Sequence, residues 1–327
     1  MRKVVAAILL PGIIAGVYFA WSALTPHGPG REVFVDIPPR TSTREIARML
    51  RANGVIREEW TFLAVRAVNP RATLQAGEYA FDKPLPVWDV FRKIARGEVF
   101  YRELTVPEGS NMFDIAAAIE KLGFIKAADF LKVASDPALI RDLDARAPSL
   151  EGYLFPAKYR FTRRTTARQL ATEMTASFRR AWKELHPGVA DVHDTTTLAS
   201  LVEKETAIPP ERPMVAAVFR NRMRRGWALD CDPTVIYAAL LEKRYHGDIH
   251  KSDLASTNQY NTYKNAGLPP GPIANPGLES LRAALRPAAG DYMFFVAKPD
   301  GSGQHSFSST LAQHNVAVQE YRRGLQR

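Results

Sequence analysis

Val4 to Leu24 is a stretch of 21 residues without a charge, preceded by Arg2 and Lys3 and interrupted only by Pro11 and Gly12. At about 1.5 Å per residue, a helix over such a run reaches roughly 31 Å, close to the hydrocarbon thickness of a bilayer. The run can therefore span, and the cations before it keep the N-terminus in the cytoplasm and send everything after Leu24 outward. A cleaved signal peptide is the other reading, since Ala20, Ser22 and Ala23 partly fit a cleavage site. The length of the run, and Trp21 at its outer edge like an interfacial aromatic, favour a retained anchor over residues 1–24 in the bacterial inner membrane.

The 327 residues exceed the usual size of one core, so two domains outside the membrane are expected. A hydrophobic share of 46% and a charged share of 24% exclude disorder as the theme. The balance of 44 Lys and Arg against 34 Asp and Glu favours anionic partners. Arg220, Arg222, Arg224 and Arg225 form the one local cluster, read as a solvated helix end. No zinc finger, RNP or Gly-rich phosphate motif accompanies it, so nucleic acid is not an expected partner. Cys231 is the single cysteine, which rules out an intrachain disulfide or a Cys-based zinc site. His246 and His250 lack an HExxH setting, and neither a metal nor a cofactor is expected.

Residues 25–31 (TPHGPGR) read as a Pro/Gly linker. Beyond it, a weak repeat appears at an offset of 69 residues, with Pro38, Ile46, Ala47, Gly54 and Ile56 matching Pro107, Ile115, Ala116, Gly123 and Ile125. Each copy reads strand, helix, turn, helix, and the first continues to AGEYAF, a returning strand. The result is a small β-α-α-β module over residues 32–98, similar in size and order to the LysM-like glycan-binding module. Residues 99–327 form the larger domain. DTTTLASLVEKETAI, PERPMVAAVFRNRMRRG and DPTVIYAALLEKRYHG read as three helices, DYMFFVAKPDGSGQHSFSS as a β-hairpin and VAVQEYRRGL as a last helix. The expected fold class is α+β: a membrane helix, the LysM-like module, then a mostly helical domain with a small antiparallel sheet.

On the helix around Thr195 to Ala207, Leu198, Leu201 and Val202 form an apolar stripe, and Glu205 falls on it, whereas Glu203 projects to nearly the opposite side. A carboxyl among Leu and Val loses hydration and stays protonated near neutrality, which is what a general acid for glycosidic cleavage requires. A structural glutamate, paired with an arginine or satisfied by backbone groups, is the competing reading of the same residue. YNTYKNAGLPPGPIANPG, residues 260–277, is a rigid loop in which Tyr260, Asn261, Tyr263 and Asn275 can stack on or hydrogen-bond to sugars. It reads equally as a structural Ω-loop. His305 and Phe307 of the hairpin either line a cleft or cap an edge.

Taken in order, LEGYLFPAKY (150–159), LASLVEKETA (198–207), DPTVIYA (232–238), the 260–277 loop and HSFSSTLAQHN (305–315) resemble the YceG-like endolytic murein transglycosylase family (MltG). The resemblance implies a lytic transglycosylase that cuts between N-acetylmuramic acid and N-acetylglucosamine in nascent peptidoglycan strands and leaves a 1,6-anhydromuramoyl end. It implies Glu205, the second glutamate of EKE, as the catalytic residue, and peptidoglycan synthases as partners. Glu151 is the next carboxylate, either binding substrate or bracing the cleft; Tyr153 and Asp232 complete the expected binding set. The chain departs from the family at Ala157 and Lys158, where Asp-Thr is frequent, and at Asp230 and Cys231, where Gln-Ser or Gln-Thr is frequent. A hydrolytic muramidase using a second acid, and a non-catalytic peptidoglycan-binding scaffold, are the alternative functions.

Overall fold

The computed structural model describes residues 16–18 and 20–324. Most of the expected membrane anchor lies outside the described residues, and among these no helix is long and apolar enough to cross a membrane. Two compact units result, one through Arg102 and one from Glu103.

In the first unit β1 (Val33–Ile37) pairs antiparallel with β2 (Gly77–Phe81), Val35 standing opposite Tyr79. Helices α1 (Thr43–Ala52) and α2 (Glu59–Val68) lie between the strands in sequence. α1 begins in a reciprocal capping box between Ser42 and Glu45, which satisfies two otherwise unpaired N–H groups of its first turn. The β-α-α-β order is joined by a further helix, α3 (Val87–Ala95), whose Val87, Val90, Phe91 and Ile94 recur at helical spacing and enter the same core as Val35, Leu50, Phe62 and Tyr79. Residues 25–31 do not hang free of this unit. His27 and Leu85 exchange two backbone hydrogen bonds of 3.0 Å, and a Cβ on Gly28 would stand 2.8 Å from Pro84 Cα.

The second unit opens with β3 (Arg102–Thr105), α4 (Met112–Lys121) and α5 (Ala127–Ala134). The 69-residue offset carries Thr43–Ala52 onto Met112–Lys121, and the Ser42/Glu45 capping box onto the one formed by Asn111 and Asp114. After α5 the second copy is interrupted, and its returning strand arrives only at β4 (Lys158–Phe161), which pairs with β3.

The rest is helical: α6 (Ala167–Glu184), α7 (Val192–Glu205), α8 (Arg212–Arg224), α9 (Asp232–Leu241), the single turn α10 (Lys251–Leu254) and α11 (Leu278–Leu285). β5 (Phe294–Ala297) and β6 (His305–Ser308) form the expected antiparallel hairpin, followed by α12 (Leu311–Gly324). Helix α7 is the axis of this unit, with α8 and α11 packed on it. Leu198, Leu201 and Val202 are buried, but so are Thr196, Thr197, Ser200 and the rest from Thr195 to Val202. A helix enclosed on every side has no single buried stripe. The two glutamates at its end are therefore distinguished by their partners and not by a buried face.

Candidate active site

Helix α7 ends at Glu205 because Thr206 turns extended (φ −139°, ψ 129°) and Pro209 and Pro210 follow, neither of which supplies an N–H to continue the ladder. Glu205 is thus the last helical residue, half-buried at the rim of the core. Burial pushes its carboxyl above the usual carboxylate range. A hydrogen bond with the Cys231 thiol and the positive charges of His305 and Arg222 pull it back, while Asp232 pushes it further up. Burial keeps the Cys231 thiol itself firmly protonated, so it is available as the donor.

Glu203 lies in a different setting. Its Oε1 accepts from Arg212 at 2.9 Å and its Oε2 from the backbone N–H of Gly277 at 2.9 Å, with the carboxyl and guanidinium both almost fully enclosed. The reading that left Glu205 as a possible arginine-paired structural residue fits Glu203 instead.

Three elements converge on Glu205. The first is the start of α9, where Cys231 N–H donates to Thr262 Oγ1 at 3.1 Å and the exposed Asp232 accepts from Tyr263 Oη at 2.6 Å. The second is the end of α8. Arg222, expected on a solvated helix end, instead turns inward, donating from Nε to Met293 O and from Nη1 to Leu229 O, each at 2.9 Å, and to Asp230 at 3.2 Å. Those carbonyls would otherwise lack partners near the hairpin, which makes the inward position the more favourable one. The third is β6, whose His305 is gripped twice by the buried Glu211: the backbone N–H donates to Oε1 and the ring Nδ1 meets Oε2, both at 2.7 Å. Glu211 Oε2 also accepts from Thr206 Oγ1 at 3.4 Å, so one carboxylate ties the residue after Glu205 to the hairpin. Phe307 is half-buried against Phe295 and Tyr292.

Glu151, expected either to bind substrate or to brace the cleft, and Tyr153, Asn261 and Asn275, expected among the binding residues, are enclosed and bonded within the protein. Tyr153 Oη reaches Asp144, which also bonds His193 Nδ1 at 2.7 Å. Asn261 donates to Leu254 O and Ser256 O, closing the turn after α10. Glu151 accepts from the Met112 N–H at 2.9 Å and from Asn275 Nδ2 at 2.8 Å, and burial pushes its carboxyl up to about 8. These four are braces: a ligand could reach them only by displacing the core. Tyr260 is partly covered by Tyr237, 5.1 Å away between ring centroids. The 260–277 loop is therefore rigid in its second half and exposed at Tyr263, 37% accessible. Glycine is required at one of the loop's contacts: Gly152 holds φ +88° with the Pro272 ring packed on it, whereas a Cβ at Gly277 would only oblige the half-exposed Glu108 side chain to move.

Residue patterns did not single out Glu211 or Thr262, and marked Arg222 only as part of a solvated cluster. Cys231 was marked as the single cysteine and as a departure from the family, with no bond to Glu205 expected.

The family model for YceG-like proteins matches residues 35–320. The chain belongs to the YceG-like family. It is 34% identical over 309 residues to a Bacillus subtilis protein named endolytic murein transglycosylase, covering 88% of this chain and 84% of that one. A Streptococcus pneumoniae protein of the same name is 28% identical over 349 residues, matching 96% of this chain, which spans 63% of that protein's length. A crystal structure of a YceG-like protein from Listeria monocytogenes superposes with a TM-score of 0.57 at 33% identity, over 88% of this chain and 99% of that one. The mixed, mostly helical architecture with small sheets is thus that of the YceG-like fold.

Proposed function

We propose that this chain is an endolytic lytic transglycosylase of peptidoglycan, cutting the bond between N-acetylmuramic acid and N-acetylglucosamine within a strand and closing a 1,6-anhydro ring on the muramoyl end. The names of its YceG-like relatives support the activity. The observation that carries the site is Glu205, a half-buried carboxyl with a raised pKa and no bonded cation, standing where three structural elements meet.

Glu205, protonated, gives its proton to the glycosidic oxygen as the C1–O bond breaks. The resulting carboxylate then takes the proton of the muramoyl C6 hydroxyl as that oxygen bonds C1. Atoms balance without water, so one carboxyl serves both steps. A hydrolase would need a second free carboxylate to activate water. Of the neighbours, Asp232 is engaged by Tyr263 and Glu211 by His305. In this reading Asp232, Tyr263, His305 and Phe307 hold the sugars, and their position beside Glu205 or its neighbours supports it.

In the same reading, residues 1–24 anchor the chain in the inner membrane with the N-terminus cytoplasmic, 25–31 lead out of it, 32–98 are the LysM-like module that holds glycan, and 99–327 cut, acting on nascent strands beside their synthases. Digestion of purified peptidoglycan followed by mass analysis tests the reaction. Anhydro ends, lighter by one water than reducing ends, are expected; reducing ends alone would reject it.

A further inference from the structure

The first unit carries an aromatic cluster that the glycan reading does not use. The Tyr18 ring lies 5.8 Å from that of Trp21 and stacks at 6.0 Å on that of Trp60, near the start of α2. The Arg57 guanidinium sits 4.4 Å from the centroid of the Trp21 ring. Even after this mutual packing, Tyr18, Trp21 and Trp60 remain 45%, 46% and 41% exposed. On the other side of the same segment Ser22 and Ala23 are buried, and Thr25 N–H bonds Trp21 O at 2.8 Å before His27 pairs with Leu85. The segment is therefore docked on the unit by one face while its aromatic face stays bare.

Amphipathic rings of this kind gain most at the headgroup level of a bilayer, where the ring body meets acyl chain and its polar atom meets water. A guanidinium beside them matches lipid phosphate. Tyr18 and Trp21 belong to the outer turns of the uncharged Val4 to Leu24 run, so they stand where that run would leave the membrane.

We propose that the first unit rests on the phospholipid headgroup layer through Tyr18, Trp21 and Trp60, with Arg57 against lipid phosphate. Tyr18, Trp21 and the module then meet the headgroups together, which sets the height at which the module holds glycan. This rests on the anchored reading given above.

The test uses the full-length chain reconstituted into phosphatidylcholine vesicles. The emission of wild type minus that of Trp60→Phe isolates Trp60. Acyl chains brominated near the headgroup should quench most of it, and chains brominated near the bilayer centre very little. A nitroxide attached after Arg57→Cys, with Cys231 buried and shielded, should report the same shallow depth. Unquenched Trp60, or a nitroxide in bulk water, on a chain that survives a carbonate wash would overturn the proposal and leave the anchor standing. Release of the chain by the wash would overturn the anchored reading as well.

Discussion

Asn275 Nδ2 donates to Glu151 Oε1 at 2.8 Å across 124 residues of sequence, and both side chains are enclosed. Asn275 Oδ1 also accepts from Leu154 N–H at 2.8 Å, and its Nδ2 donates to Ser110 O at 2.9 Å. One amide thereby fastens the EGYL segment, the start of α4 and the end of the Pro/Gly loop.

Asn275→Ala takes the partner from two enclosed groups, the Leu154 N–H and Glu151 Oε1, while Ser110 O keeps the Asn275 backbone N–H at 2.9 Å. At about 1–3 kcal/mol for each orphaned group, partly relieved by relaxation, a loss of roughly 2 kcal/mol or more is expected. Urea denaturation would register it as a lower midpoint with an unchanged slope. An unchanged midpoint would show that this bond does not hold the loop.

Glu151 makes stability depend on pH in a definite direction. Its carboxyl titrates near 8 in the fold, against about 4.3 in an unfolded chain. Below the lower value both states are protonated and its contribution is fully present. As pH rises through the interval the unfolded chain sheds the proton that the folded chain retains, and stability falls. Glu151→Gln, which has no proton to lose, should flatten the fall between about pH 5 and pH 8. Parallel curves for the two proteins would exclude Glu151 as the source.

The two glutamates at the end of α7 should fail in different ways. Glu203→Ala leaves the buried Arg212 guanidinium only the longer contact to Glu108 at 3.5 Å, a loss on the order of 3 kcal/mol, seen as reduced thermal stability. Glu205→Gln removes a proton donor that bonds no cation. It should leave the melting temperature nearly unchanged and lower the rate of anhydro-end formation by about 10²–10⁴-fold or more. Near wild-type turnover in Glu205→Gln would dismiss it as the acid.

In the proposed role Glu205 acts in its protonated form, so the rate should decline as pH rises through its elevated pKa. The Cys231 thiol favours the carboxylate form. Cys231→Ala should therefore move the alkaline limb of the rate profile to higher pH, and Cys231→Ser, which keeps a donor, should restore it. A limb that stays in place in the alanine variant would show that the thiol does not bond Glu205 during turnover.

Local patterns disclosed the helices well. The 69-residue repeat marked the start and end of α4, since capping side chains and glycine stops recur wherever a helix must begin and end. β4 went unseen because 23 residues separate it from α5, and YRF carries too little alternation to announce a strand. In the site, EKE marked Glu205 as the proposed acid, and the stripe used to choose it over Glu203 dissolved once α7 proved buried all round. Glu151, Tyr153, Asn261 and Asn275 were marked by their motifs, with bracing and binding both open for Glu151 and the loop, and the fold encloses all four. A polar side chain in a distinctive motif looks alike in sequence whether it meets a ligand or another part of the chain. Glu211 carried no local signal, and the cluster around Arg222 pointed to solvent, because partners that fix them lie in the hairpin some 94 and 71 residues later.

The grip of Glu211 on His305 also bears on timing. A chain delivered through a membrane from its N-terminus presents Glu205 a hundred residues before His305. Until the hairpin is made and captured by Glu211, Glu205 lacks the wall that His305 supplies. In the proposed reading, a chain still short of its hairpin carries the tooth without the jaw.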